Sequence, residues 1–128
     1  MALDIAGRKV LVLGLGDTGW SMTRWLTRRG AQVRVADSRA EPPHAALLAR
    51  ELPQVRLATG TFTENTLSGA DLIAISPGID RREPVIADAV KRGVAVVGDI
   101  ELFARALPEL ATRNLKLGTA RILAVTGS

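Results

Sequence analysis

The chain has 128 residues, 47% of them hydrophobic and 3% aromatic, with a net charge of +4, one histidine and no cysteine. That length suits one domain burying about two thirds of its unfolded surface, and the missing cysteines exclude disulfides and thiolate metal sites. There is neither an apolar run of about eighteen residues nor a basic N-terminal region leading into an apolar core, so no membrane span and no signal peptide are expected, and the expected location is cytoplasmic.

"RKVLVLGLG" opens the chain's pattern with a strand at about Lys9 to Leu13, nearly continuous in apolar residues as a strand covered on both faces is. A helix follows from about Thr18 to Arg29, closed by two arginines near the negative end of its dipole and by Gly30 as a left-handed cap. "QVRVAD", residues 32 to 37, is the second strand, and "PPHAALLAREL" reads as a second helix with proline in its first turn. A weaker strand covers residues 55 to 59 and a clear one, "DLIAIS", covers 71 to 76. "EPVIADAVKRG" repeats the helix formula, Pro84 at its start and Gly93 at its end. Then come the strand "VAVV", a helix "DIELFARAL" with Asp99 as N-cap, a loop over residues 108 to 120, and a last strand in "RILAVTGS".

Strand and helix alternate, which points to an α/β fold of the Rossmann-like kind, an open parallel sheet with helices on both faces. "RGAQVRVAD" and "RGVAVVGD" echo one another, one structural unit used twice and not a repeat of fixed period. The positive charge does not mark a nucleic-acid binder. The arginines are dispersed from Arg8 to Arg121, and no aromatic stacking platform accompanies them. A solvated basic surface with one anionic ligand accounts for it better.

In an open parallel sheet, ligands bind beyond the carboxyl ends of the strands, where strand order reverses. Three features fall at such ends. "GLGDTG", Gly14 to Gly19, fits G-x-G-x-x-G between strand and helix, so that glycines permit a tight turn and free amides face an anion. Thr18 adds a hydroxyl. Asp37, Ser38 and Arg39 end the second strand: the carboxylate there could hold an adenosine ribose, or accept a uracil N3–H with Arg39 over the base. "SPGID" places Ser76 and Gly78 at the end of the fourth strand, within reach of phosphate or sugar, although Pro-Gly is also a generic turn.

Other residues carry less. His44 stands beside Pro42 and Pro43 and has no second histidine, so it reads as a surface residue and not a metal ligand. Trp20 and Trp25 read as helix-to-sheet packing. No nucleophile, base or metal set is visible, so no catalytic residue is assigned. Thr126, Gly127 and Ser128 could open a P-loop, but the lysine that such a loop needs for the outer phosphates of ATP is absent.

"KVLVLGLGDTGWS", "VADSR", "ADLIAISPGI", "VVGDIELFAR" and "ILAVTGS" resemble, in this order, the N-terminal domain of the Mur ligases of bacterial peptidoglycan synthesis, among them those that add D-glutamate. The resemblance implies a three-domain enzyme whose first domain binds the UDP of UDP-N-acetylmuramoyl-L-alanine. Residues 1 to 120 would form that domain, and 121 to 128 would begin the ATP-binding central domain, so the natural protein is expected to continue. The UDP site would take in Gly14 and Gly16, with Asp17, Thr18 and Gly19 on the diphosphate, Asp37, Ser38 and Arg39 around uracil, and Ser76 and Gly78 nearby. Thr126, Gly127 and Ser128 would be a partial ATP site.

By the same resemblance, the full enzyme uses ATP and Mg to phosphorylate the substrate carboxylate, and the amine of D-glutamate then displaces phosphate. D-glutamate and ATP would be met by the missing domains, and the fragment alone would be inactive and hold no cofactor tightly. Two features depart from the family pattern: the 108 to 120 loop looks long, and Asp17 puts a negative charge into the anion loop. The competing possibility is an NAD(P)-binding domain of a dehydrogenase or a regulatory sensor, resting on Gly14, Gly16, Gly19 and Asp37.

Overall fold

The computed structural model describes residues 5–104, of which Ile5–Asp99 form one compact unit. Its elements in order are β1 (Lys9–Leu13), α1 (Asp17–Arg28), β2 (Gln32–Asp37), α2 (Ala45–Glu51), β3 (Arg56–Thr59), α3 (Glu64–Leu67), β4 (Leu72–Ile75), α4 (Pro84–Lys91) and β5 (Ala95–Gly98). Residues 99–104 are helical. The helix thus begins at Asp99 itself, one residue earlier than an N-cap there would give. The rest of that helix, the loop at 108 to 120, the boundary expected at 120 and the strand and turn ending in Thr126, Gly127 and Ser128 lie outside the described residues.

All five strands are parallel, in the order β3-β2-β1-β4-β5. The chain runs outward from β1 to β2 and β3, then returns to lay β4 on the other side of β1, so strand order reverses between β1 and β4. Right-handed crossovers in these two opposite directions put α1 and α4 on opposite faces of the sheet. β1 and β4 are buried along almost their whole length, which is why they read as continuous apolar runs.

On one face Leu11, Leu13, Ala36, Ile73 and Ile75 form a core with Leu67 of α3 and Ile86 and Ala89 of α4. On the other, Val10, Val12, Val33 and Val35 alternate with them and are buried on the side taken by α1. Helix α1 turns Gly19, Trp20, Met22, Thr23 and Leu26 inward, the stripe that 3.6 residues per turn produces. Gly30 ends its turn at φ +87°, the left-handed cap the sequence calls for.

Two local expectations are corrected. Helix α2 starts at Ala45, so Pro42 and Pro43 precede it and do not occupy its first turn; His44 stands at its N-cap. Between β3 and β4 lies α3, a single turn absent from the predicted order. Thr63 and Thr66 cap it reciprocally: the Thr66 amide donates to Thr63 Oγ1 at 3.3 Å and the Thr63 amide to Thr66 Oγ1 at 3.0 Å.

Candidate functional site

The carboxyl ends of β1, β2 and β4 are neighbours in the sheet, so the three features at those ends converge beside the β1/β4 reversal. The glycine loop is closed by steric necessity. Gly14 sits at φ +92°, a conformation that side chains disfavour, and its amide donates to the Ala36 carbonyl at 2.7 Å. A Cβ on Gly19 would overlap the Gly14 carbonyl oxygen and come within 2.9 Å of Ser76 Oγ. A Cβ on Gly16 or Gly78 would meet nothing within 4 Å. Only two of the three motif glycines, Gly14 and Gly19, are therefore demanded by the fold.

Helix α1 starts at Asp17 after Gly16, and no side chain caps it. The amides of Asp17, Thr18 and Gly19 are in the first turn, where α-helical bonding supplies no acceptor, and the dipole adds partial positive charge. This is an anion-binding geometry. Thr18 is half-buried beside it, while the Asp17 carboxylate is fully exposed.

Ser76 is nearly buried and donates its hydroxyl to the Gly14 carbonyl at 3.0 Å. It ties β4 to the glycine loop, and its hydrogen is thereby committed; the hydroxyl can still accept. Beyond it, Gly78 is exposed and Asp80 is bound by Arg82, whose amide donates to Asp80 Oδ1 at 2.8 Å and whose guanidinium holds its carboxyl below the ordinary range.

Asp37 is the most constrained polar group of the site, at 2% exposure. Its Oδ2 accepts the Leu15 amide at 2.8 Å and Arg39 Nη2 at 2.7 Å; its Oδ1 accepts the Arg39 amide at 2.8 Å and Arg39 Nε at 3.0 Å. Burial pushes the carboxyl up, but these hydrogen bonds outweigh it and hold it at about 2, against 3.8 ordinarily. Four donors fill four acceptor positions. Asp37 is left with no free lone pair for either a ribose diol or a uracil N3–H. Its effect is to clamp the glycine loop to the end of β2 and to fix the Arg39 guanidinium, whose side chain is 53% exposed. Ser38, between them, is exposed.

Of two further groups beside the glycine loop, one was not singled out from the sequence and the other was read as a surface residue. The Leu15 amide is a backbone group and leaves no trace in residue types. His44 does not read as a plain surface residue in the structure: its side chain is 24% exposed, its Nε2 lies 2.7 Å from Asp17 Oδ1, and its ring stacks on Trp20 with centroids 6.3 Å apart and planes 20° from parallel. Trp20 is buried, as packing requires.

A cavity of about 580 Å³ opens elsewhere, at the amino ends of the strands, lined by Lys9, Arg34 and Arg56 among others. Arg34 is engaged there by the Thr66 and Ser68 carbonyls at 3.3 and 2.8 Å, far from the glycine loop in the fold. Among the described residues no three His, Asp or Glu side chains converge on a point that suits a metal ion, and the glycine loop carries no lysine.

Residues 8–98 match the family model described as Mur ligase MurD-like, N-terminal domain. The chain is 55% identical, over 99% of its length, to a UDP-N-acetylmuramoylalanine--D-glutamate ligase of Thiobacillus denitrificans and 47% identical, over 98%, to one of Nitrosomonas europaea. It spans 28% and 26% of the length of these two relatives. Its fold is similar to that of a UDP-N-acetylmuramate-alanine ligase from Thermotoga maritima, with a TM-score of 0.65 at 20% identity over 80% of this chain and 23% of that one. With a glycine loop, a clamped Asp37–Arg39 pair and a Ser76 tie set at the carboxyl ends of one doubly wound sheet, and with that match over most of its length, the chain belongs to the MurD-like Mur ligases, its residues 8–98 matching their N-terminal domain.

Proposed function

We propose that this domain binds the UDP part of UDP-N-acetylmuramoyl-L-alanine for a ligase that joins D-glutamate to it at the expense of ATP. The observation that carries the proposal is the junction of free α1 amides with the exposed, Asp37-fixed Arg39 plane: a diphosphate fits the first, and an aromatic base stacks on the second. The roles follow. The Asp17, Thr18 and Gly19 amides hold the diphosphate, with the Thr18 hydroxyl as a further donor. Arg39 carries the uracil, Ser38 lies at its edge, and Ser76 and Gly78 border the sugar. Asp37 acts by positioning, since its own acceptors are taken.

A dinucleotide is the weaker candidate for the same reason. Its adenosine ribose is recognised through a free carboxylate at the end of β2, and Asp37 is not free.

In the whole enzyme, ATP would transfer its terminal phosphoryl group to the lactyl-alanine carboxylate with Mg balancing charge, and the D-glutamate amine would attack the acyl phosphate, forming the amide and releasing phosphate. Those steps need groups supplied beyond the described residues. This domain contributes binding and orientation, and alone it should release no ADP. With the rest of the cleft missing, UDP affinity of about 0.1 to 10 mM is expected, roughly 3 to 5 kcal/mol.

Titration of the chain with UDP and, separately, NADH, followed by amide chemical shifts, tests the assignment. Shifts at Gly14 to Gly19, Asp37 to Arg39 and Ser76 to Gly78 with UDP alone are the expected result. Saturable NADH binding with none for UDP would overturn it.

A further inference from the structure

The only histidine of the sequence touches the anion loop, and it does so through the one residue that is electrostatically wrong there. Asp17 occupies the first position of α1, beside the amides that suit a diphosphate, and a carboxylate at that place repels a phosphate ligand. His44 approaches from the β2–α2 loop, the same loop that carries Ser38 and Arg39, and its Nε2–H donates to Asp17 Oδ1 at 2.7 Å. Its ring is held over Trp20 and is three-quarters shielded from solvent, whereas Asp17 is open to it.

We propose that His44 is a positioning residue of the nucleotide site: it fastens the base-binding loop to the phosphate loop and, when protonated, cancels the charge of Asp17 toward the incoming diphosphate. This rests on the assignment of the cleft to a nucleoside diphosphate.

The charges around His44 give the direction. From α1, Asp17 Oδ1 contacts the ring directly, while the Arg24 guanidinium lies beyond the Trp20 ring, 5.9 Å from its centroid. On its own segment, Arg39 is bound to Asp37 and Glu41 is exposed. The direct partner is therefore the carboxylate. Histidine exchanges its proton between about pH 5 and 8. Below that exchange the Asp17–His44 pair is neutral overall; above it Asp17 stands uncompensated near the ligand. Diphosphate affinity should fall as pH rises, and ligand binding should in turn favour the protonated ring.

The test is the dissociation constant of UDP-N-acetylglucosamine for the chain across that range. Its diphosphate is doubly esterified and keeps constant charge, so any slope belongs to the protein. For two charges about 6 Å apart near solvent, a weakening of about threefold from the acid to the alkaline end is expected. H44Q, which can still donate to Asp17 but cannot be charged, should give a flat profile at the weak value. D17N keeps the titrating ring and should keep the slope, displaced to tighter binding throughout, with its alkaline end near the acid-end value of the unaltered chain. A flat profile in the unaltered chain, or a slope that survives in H44Q, overturns the proposal while leaving the nucleotide assignment intact. Absence of binding at every pH, in every variant, overturns both.

Discussion

At the carboxyl end of the sheet a Cβ on Gly19 would overlap the Gly14 carbonyl oxygen, whereas at the amino end a Cβ on Gly93, just past α4, would meet nothing within 4 Å. Gly93 is required by its backbone alone, at φ +91°. Gly19 is required because another piece of backbone passes through the space a side chain would fill. The polar groups divide in the same way. Asp37 and Ser76, both buried, are tied to the glycine loop, while Lys9 and Arg56 at the other end are exposed and Arg34 binds two carbonyls of a surface turn. One end is a set of mutually locked turns; the other is an ordinary solvated rim. Preorganisation of this kind, with donors fixed before the ligand arrives, is what distinguishes a binding end from a folding end of such a sheet.

The contrast can be broken most directly by substituting the two glycines. G19A should cost about 3 kcal/mol or more in urea unfolding, because the clash is with backbone and cannot be relieved by a rotamer change. G93A should cost about 1 kcal/mol, the strain of one residue at positive φ. Equal losses would mean that the glycine loop has slack and that its closure is not a constraint of the fold.

D37N comes next. It removes the charge from an acceptor that satisfies the Leu15 amide and Arg39 and should cost about 2 kcal/mol. The sign of the pH dependence follows from the lowered carboxyl: its contribution is present above the unfolded value of 3.8 and is lost as pH falls through it toward about 2. Discounted for the solvent around half-exposed Arg39, that loss is about 1 to 2 kcal/mol. Urea midpoints measured between these two pH values should converge for the unaltered chain and D37N. Parallel curves would show that the clamp carries no net stability.

S76A should cost about 1 kcal/mol, the worth of a hydrogen bond from a nearly buried hydroxyl to the Gly14 carbonyl. Its effect on UDP binding separates a tie from a contact: a tie predicts that affinity and stability fall together.

How far the sequence discloses this arrangement depends on whether a side chain or the backbone carries the information. β1 and β4 announce themselves because both faces are buried, and Gly30 and Gly93 mark helix ends by a conformational need that is local. The order β3-β2-β1-β4-β5 is not legible in that way, because alternation and crossover handedness hold equally for a sheet that reverses after β2. Helix α3 escapes because one turn has no period, and because Thr66 fills the capping-box position where glutamate or glutamine gives the usual signal. Asp37 is visible as a residue, yet its saturation is not: two of its four donors are amides, of Leu15 and Arg39, and their positions depend on the folded loop. His44 escapes for a related reason, since its partners Asp17 and Trp20 are 27 and 24 positions away and reach it only when the β2–α2 loop folds back over α1.

The smallest expected effect sharpens the comparison most. Gly78 lies at the carboxyl end, among locked turns, but a Cβ there would meet nothing within 4 Å and its φ is not in the left-handed region. By the criterion that separates Gly19 from Gly93 it belongs to neither class, and G78A should change stability by less than about 0.5 kcal/mol. If Gly78 borders the ligand, the added methyl group occupies space that is empty only in the free domain, so UDP-N-acetylglucosamine affinity should drop severalfold while the urea midpoint stays put. A loss of binding without a loss of stability assigns this glycine to the ligand rather than to the fold; unchanged binding would move the edge of the site back to Ser76.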